Sequence, residues 1–353
     1  FSSCKADEAF ERWWQDQIRL AQPDALRGKL VRWSVQWPTP SQQELARMRS
    51  EVQGKPDHPD RQRLEVAVAQ ERLGNPPQDN RLWTSSDGQR TRLACDTPGG
   101  SAPHIDLALR DSESWTLVPG ALTLRNRTST DLSTDTVYAL DGFVEEASLA
   151  LSGGISSCIR RGIDLRTPTP RLSVDGSWRG EWTQNGPSGV YSVTAVGRFS
   201  SESRTGTVSR LELRHRSSKG EWSGVYLVRM ADRREGDLPR NVQVEQLDDG
   251  STLTRSIALT AAEAVSDDVV DAHTRIPEVN GVDPVRGVMT FRAISDERDD
   301  EQRVTRLQSA RGDWREITGP KPQSRPPVAL MYWGWAAVGV IVLILVIVKA
   351  RRG

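Results

Sequence analysis

The chain has 353 residues, and its 47 Lys and Arg balance 47 Asp and Glu, so the formal charge is zero. That balance excludes the overall basic excess of a typical nucleic-acid binder, and the length allows one large domain or two ordinary ones. Mean hydropathy is −0.54, against which one uncharged C-terminal run stands out.

Phe1-Ser2-Ser3-Cys4 opens the chain without Met. A signal peptide removed before Phe1 would explain that start. The run is also similar to a bacterial lipobox, which would make Cys4 a lipidation site; an ordinary cysteine near a processed terminus is the alternative. Residues 6–22 then place Phe10, Trp13, Trp14, Ile18 and Ala21 at helical spacing, opposite Glu11, Arg12, Asp16 and Arg19. Pro23 ends that helix. Residues 28–37 alternate as a strand, with Val31, Trp33, Val35 and Trp37 on one side.

Residues 41–74 predict a helical hairpin. Ser41-Gln42-Gln43-Glu44 has the capping-box pattern, and Leu45, Met48 and Val52 continue an apolar stripe. A turn at Lys55–Pro59 leads to a second helix from Asp60, closed by Gly74 and Pro76. From Asn80 short alternating runs predict strands over 81–84, 90–96, 104–110, 114–119 and 121–125, with a hairpin signal at Asp87-Gly88. Residues 137–151 read as a short helix from near Asp141. A second strand series covers 171–174, 178–183, 189–199, 206–216, 221–230, 242–246 and 252–258. Turns at Asp175-Gly176, Asn185-Gly186, Lys219-Gly220 and Asp249-Gly250 punctuate it.

Residues 261–273 read as an Ala-rich helix, 287–294 as a last strand, 296–303 as a charged solvated segment and 318–327 as a Pro-rich linker. Val328 to Val348 is 21 uncharged residues. As a helix it would cover about 30 Å, the thickness of a bilayer core. Tyr332, Trp333 and Trp335 near its start, and Lys349, Arg351 and Arg352 after it, suit the two interfaces. The basic residues predict a cytoplasmic tail at 349–353 and a large extracytoplasmic domain, periplasmic in a bacterium. The expected organisation is therefore a β-rich domain over 1–260, a C-terminal extension of it over 261–317, the linker, a transmembrane helix and the tail.

The fold class is mainly β with helical insertions (α+β), a large curved antiparallel sheet or half-barrel. The order of a helix (Ala6–Gln22), a Trp-bearing strand (Lys29–Trp37), the Asp87-Gly88 hairpin and Trp115-Thr116-Leu117-Val118-Pro119-Gly120 resembles the outer-membrane lipoprotein carrier family and its sensor relatives, over about residues 6–260. The resemblance implies an unclosed barrel, with helices plugging its concave face and an apolar groove for acyl chains. An anchored chain departs from a freely diffusing carrier, which points toward ligand sensing or a structural role.

No G-x-S-x-G elbow, P-loop or dinucleotide fingerprint occurs, so no catalytic residue and no cofactor are assigned. His58, His104, His215 and His273 lack metal-ligand spacing, and no metal site is assigned. Cys95 and Cys158 are candidates for a disulfide in an oxidising compartment, or else two buried thiols. Ten tryptophans precede the apolar run; Trp33, Trp37, Trp83, Trp115, Trp178, Trp182 and Trp222 are the candidate lining of an apolar groove, with sheet-face packing the blander reading. The expected function is a non-catalytic accessory or scaffold subunit of a membrane complex, with other membrane proteins and the bilayer as partners and no nucleic acid. The alternative is an anchored binding or sensing domain for an apolar ligand such as a lipid or lipoprotein acyl chain.

Overall fold

The computed structural model describes residues 2–36, 41–53, 64, 68, 77–96, 105–126, 133–186, 189–217, 222–231, 241–248, 251–299, 302–309 and 312–320. The second helix expected over 60–73, the 318–327 linker beyond Pro320 and the apolar run at 328–348 lie outside these. Among the described residues no helix is long and apolar enough to cross a membrane.

The chain forms two discontinuous units, one of residues 1–35 and 144–265, the other of residues 36–143 and 266–353. The sequence reading of one domain to residue 260 plus an extension does not anticipate this interleaving. Among the described residues each unit holds eight strands of the main sheet, so the mainly β class with a few helices holds.

In the first unit the strand order is β1 (Lys29–Gln36), β13 (Ser251–Ala264), β12 (Asn241–Asp248), β11 (Trp222–Ala231), β10 (Thr205–Ser217), β9 (Gly189–Ser200), β8 (Ser177–Gly186) and β7 (Arg171–Leu172). β7 to β13 are a plain antiparallel meander. The two-residue alternation puts one register row, Arg255–Val244–Val228–Leu211–Ala195–Gly180, on the inward face. Helix α1 (Ser2–Leu20) covers that face because Phe10, Trp13, Trp14, Gln17 and Ile18 share one side of it and are buried. Trp14 stacks on Trp182 at 5.6 Å between ring centroids, and Phe10 meets Phe199 edge-on at 5.4 Å. Helix α3 (Ser133–Ser152) enters this unit at Val144, and α4 (Ile155–Arg160) follows. Gly154 sits at their junction because a Cβ there would lie 2.9 Å from Leu211 Cδ2 and 3.0 Å from Val228 Cγ2.

In the second unit the order is β2 (Gln78–Thr84), β3 (Thr91–Asp96), β4 (Ile105–Arg110), β5 (Glu113–Val118), β6 (Ala121–Asn126), β16 (Ala293–Glu297), β17 (Gln302–Gln308) and β18 (Trp314–Pro320). β2 to β6 is again an antiparallel meander, but β16 joins β6 in parallel, with Leu122 opposite Ile294. The short hairpin β14 (Val282–Asp283) and β15 (Gly287–Val288) precedes it. Helix α2 (Gln42–Val52) begins with the expected capping box: Glu44 N–H donates to Ser41 Oγ, and Ser41 N–H donates to Glu44 Oε2 at 2.8 Å. Helix α5 (Asp267–Thr274) packs on β2 to β4. Its Asp267 accepts both Ser86 N–H and Ser86 O–H, at 2.7 and 2.6 Å, which ties the helix to the β2–β3 turn.

Three sequence expectations are corrected here. The Ala-rich helix over 261–273 is instead strand to Ala264 and helix only from Asp267; the helix expected from near Asp141 starts at Ser133; and the solvated segment 296–303 includes parts of β16 and β17. β18 likewise carries strand into the expected linker, to Pro320.

Candidate functional site

Five of the seven candidate groove tryptophans have described side chains, and all five are core. Trp33, Trp178 and Trp182 in the first unit are 1, 2 and 4% exposed, and Trp83 and Trp115 in the second are 4 and 1% exposed. The polar end of four of these indoles is also taken. Trp33 Nε1 donates to Glu146 Oε2 at 3.3 Å, Trp178 to Thr207 O at 3.1 Å, Trp182 to Pro168 O at 2.9 Å and Trp115 to Thr274 O at 2.9 Å. Indoles buried in this way fill a sheet face, so these five do not line an open groove. Trp37, the Trp222 indole, Tyr332, Trp333, Trp335, Lys349, Arg351 and Arg352 lie outside the description, as does the Cys4 side chain. Cys95 on β3 and Cys158 on α4 are both buried and neither is in a disulfide. Burial pushes the Cys158 thiol up to about 12, with Arg161 opposing, so it is an inert apolar neighbour rather than a nucleophile.

The apolar site lies elsewhere, in the second unit. Parallel addition of β16 to β6 prolongs the sheet face that already carries Ala108, Trp115, Leu117, Leu122 and Leu124. Ile294 stands opposite Leu122, Asp296 opposite Leu124, and β17 adds Arg306 and Val304 to the same two rows. The chain leaving α5, Ile276 to Val279, and Phe291 form the wall above that floor. Between them is a cavity of about 240 Å³ with a largely apolar lining. Its mouth is charged. Arg298 reaches Glu113 at 2.8 Å and Asp296 at 2.6 Å, and Arg306 reaches Glu316 at 3.1 Å. The recess could take a short apolar segment, since its volume is roughly that of eight liquid waters and below the range of whole-ligand pockets.

Two buried ionic clusters have structural geometry. In the second unit Arg92, fully buried, donates to Asp106 Oδ2 at 2.5 Å, to Asp283 at 2.7 and 2.9 Å and to His273 O at 2.9 Å, while its guanidinium lies 5.0 Å over the Trp115 ring. Arg286 joins Asp106 and Asp96, and Arg81 joins Asp96 from the other side. Burial alone would push the Asp283 carboxyl up; the Arg92 bonds outweigh it and hold it below the usual carboxylate range. In the first unit Glu146 is 1% exposed, accepts from Trp33 and has Arg255 Nη1 3.2 Å from Oε1, close enough for an ion pair but without hydrogen-bond alignment. Burial raises the Glu146 carboxyl to about 7, against the pull of Arg255 and Trp33.

Sequence reasoning missed the recess because Ile276 lies in a segment given no element, and the strand expected over 287–294, with Phe291 and Ile294, gave no sign that β6 would be its neighbour. Among the described residues no group of His, Cys, Asp and Glu could hold a metal ion.

No protein-family model and no curated protein matches this sequence. Among solved structures the chain is similar to a LolA superfamily protein from Nitrosomonas europaea, with 11% identity and a TM-score of 0.32 over 72% of this chain and 93% of that one. It is also similar to an outer membrane lipoprotein-sorting protein domain from Vibrio parahaemolyticus, with 6% identity and a TM-score of 0.26 over 73 and 97% of the two chains. A lectin from Aleuria aurantia aligns with 6% identity and a TM-score of 0.13 over 70 and 89%. The likeness to the LolA superfamily is present and weak.

Proposed function

We propose that this protein is a non-catalytic binding or sensing domain for an apolar ligand, a lipid or lipoprotein acyl chain. It would be held at a cell membrane by the 328–348 run, with the large domain extracytoplasmic and the 349–353 tail cytoplasmic. The observation that carries the binding role is the recess over β6, β16 and β17: an apolar floor and wall with a rim of paired charges. A site of that make-up accepts the end of a hydrocarbon chain and leaves a polar head among Arg298, Asp296 and Arg306. The membrane location rests on the apolar run and the basic residues after it.

The test is titration of the full chain, in mild detergent, with an environment-sensitive fluorescent fatty acid. Wild type should bind saturably. Ile294→Lys, which puts a charge at the floor, should weaken binding by at least about tenfold, as burying an unpaired charge costs several kcal/mol. Equal binding by wild type and Ile294→Lys would remove the recess as the site.

A second reading, an accessory subunit of a membrane complex, is favoured by one feature. β18 ends the strand order of its unit, and beside it the β17–β18 pair exposes Leu307 and Ile317 on one face, 41 and 45% accessible. An edge strand with such residues suits pairing with a strand of another protein. Recovery of a stoichiometric membrane partner after gentle extraction, lost in Ile317→Lys, would support it; a monodisperse single chain would not.

A further inference from the structure

The outward face of the first unit carries a pattern that neither its fold nor the apolar recess requires. Register places Arg171 opposite Arg179, Arg179 opposite Val196, Val196 opposite Arg210 and Arg210 opposite Arg229. Four arginines therefore stand in one row across five adjacent strands, with no acidic residue among them, and all four are exposed. At about 4.8 Å per strand the row is roughly 19 Å long. Like charges directly opposite each other destabilise a strand pair, so fold stability does not account for Arg171 facing Arg179 or Arg210 facing Arg229.

The neighbouring rows organise these charges. Glu212, only 14% exposed, lies between Arg210 at 2.7 Å and Arg214 at 2.5 Å, and Glu181 holds Arg179 at 2.6 Å. Those pairs run along the strands, which orients the guanidinium groups. Arg198 and Arg216 extend the same face, and Glu245 shares the Glu181–Glu212 register row. Among the described side chains, Arg171, Arg179, Arg198, Arg210, Arg214, Arg216 and Arg229 outnumber Glu181 and Glu212 on these adjoining strands, in a chain whose net charge is zero. A shallow depression of about 380 Å³ lies within the face, lined by Ser192, Thr194 and Val196 together with Arg179, Arg210, Arg214 and the Glu212 carboxylate that the last two share.

We propose that this sheet face docks on an anionic lipid surface, its arginine row binding headgroup phosphates. A guanidinium matches a phosphate with two parallel hydrogen bonds, and hydroxyls such as those of Ser192 and Thr194 can donate to the remaining oxygens. The bilayer-length run in the same chain makes a lipid surface the polyanion within reach. This surface is separate from the apolar recess and does not depend on the recess binding anything.

The experiment uses the full chain in phosphatidylcholine nanodiscs, mixed with separate vesicles and floated on a density gradient. Discs should rise with vesicles containing phosphatidylglycerol, not with pure phosphatidylcholine, and the association should vanish near 0.5 M salt, where the Debye length falls to about 4 Å. The triple variant Arg171→Gln, Arg179→Gln, Arg210→Gln should associate at least about tenfold more weakly, since three cations leave the contact with the anionic surface. The control Arg19→Gln, Arg47→Gln removes exposed arginines elsewhere and should match wild type. No preference for anionic vesicles in wild type overturns the proposal, as does equal loss in the control. Displacement by duplex DNA at a lower phosphate concentration than phosphatidylglycerol vesicles would overturn it in favour of a nucleic-acid surface.

Discussion

Arg92 shows how a single residue joins distant parts of the chain. Its guanidinium is fully buried, stacked on Trp115 and shared between Asp106 of β4 and Asp283 of the β14–β15 hairpin. The pairing offsets a desolvation cost that neither partner could bear alone. Removing the arginine leaves Asp106 to Arg286 alone and Asp283 to the backbone N–H groups of Val285 and Arg286, beside the Trp115 ring. Arg92→Ala is therefore expected to cost about 3–5 kcal/mol, seen as a lower urea midpoint, whereas exposed Arg19→Ala should change it by less than about 0.5 kcal/mol. Glu146 is the opposite case, a buried acid whose partners do not fully compensate for burial. Its folded value, about 7, lies above the ordinary glutamate value of 4.5. Folding thus takes up a proton between these values, and the Glu146 contribution is fully present below about 4.5 and lost as pH rises through about 7. Wild-type stability should fall across that window, and the matching part of the slope should be missing in Glu146→Gln; urea midpoints measured from pH 4 to 8 would show it. Neither role could be read from sequence, because Arg92 and Glu146 sit among ordinary charged residues, and only the fold brings Asp283 and Arg255 to them.

At the scale of elements, most strands were legible because each is bounded by turn residues and alternates cleanly. Trp178, Gly180 and Trp182 point inward while Arg179, Glu181 and Thr183 point out. The misreadings have physical reasons. Ala261, Ala262 and Ala264 favour helix locally, but β13 continues to Ala264 because tertiary pairing outweighs a weak propensity. The charged stretch from Asp296 reads as solvated because these strands near the end of the order carry charges on their faces, as exposed strands commonly do. The parallel β6–β16 pair, which builds the recess floor, joins residues about 170 apart and leaves no local signal. The close packing at Gly154 gives a direct check on the helix–sheet contact in the first unit. Gly154 has an ordinary φ of −68°, so Gly154→Val adds volume against Leu211 and Val228 without backbone strain. A loss of about 1–3 kcal/mol is expected, measured as a lower melting temperature. An unchanged melting temperature would mean that α4 does not press on the sheet at that point.

For the whole molecule, the two units differ in what they bury and what they present. The first buries Trp178 and Trp182 against Trp14 of α1 and presents an arginine row outward; the second carries the apolar recess. The sequence offered an apolar ligand as the alternative to an accessory subunit, together with the LolA-type order of elements, but the five described tryptophans it placed in a groove are core, since tryptophans are as good at filling a core as at lining a groove. The recess-forming residues, Leu122, Leu124, Ile276, Phe291 and Ile294, are unremarkable one by one and gain meaning only from their shared row and wall. The central claim is that this recess holds hydrocarbon. The most direct measurement is photolabelling of the full chain with a fatty acid bearing a terminal diazirine, followed by peptide mapping. The account predicts adducts on 276–279 and 291–294, competed away by unlabelled fatty acid. Adducts confined to 328–348, or to peptides carrying Trp178 and Trp182, would contradict it.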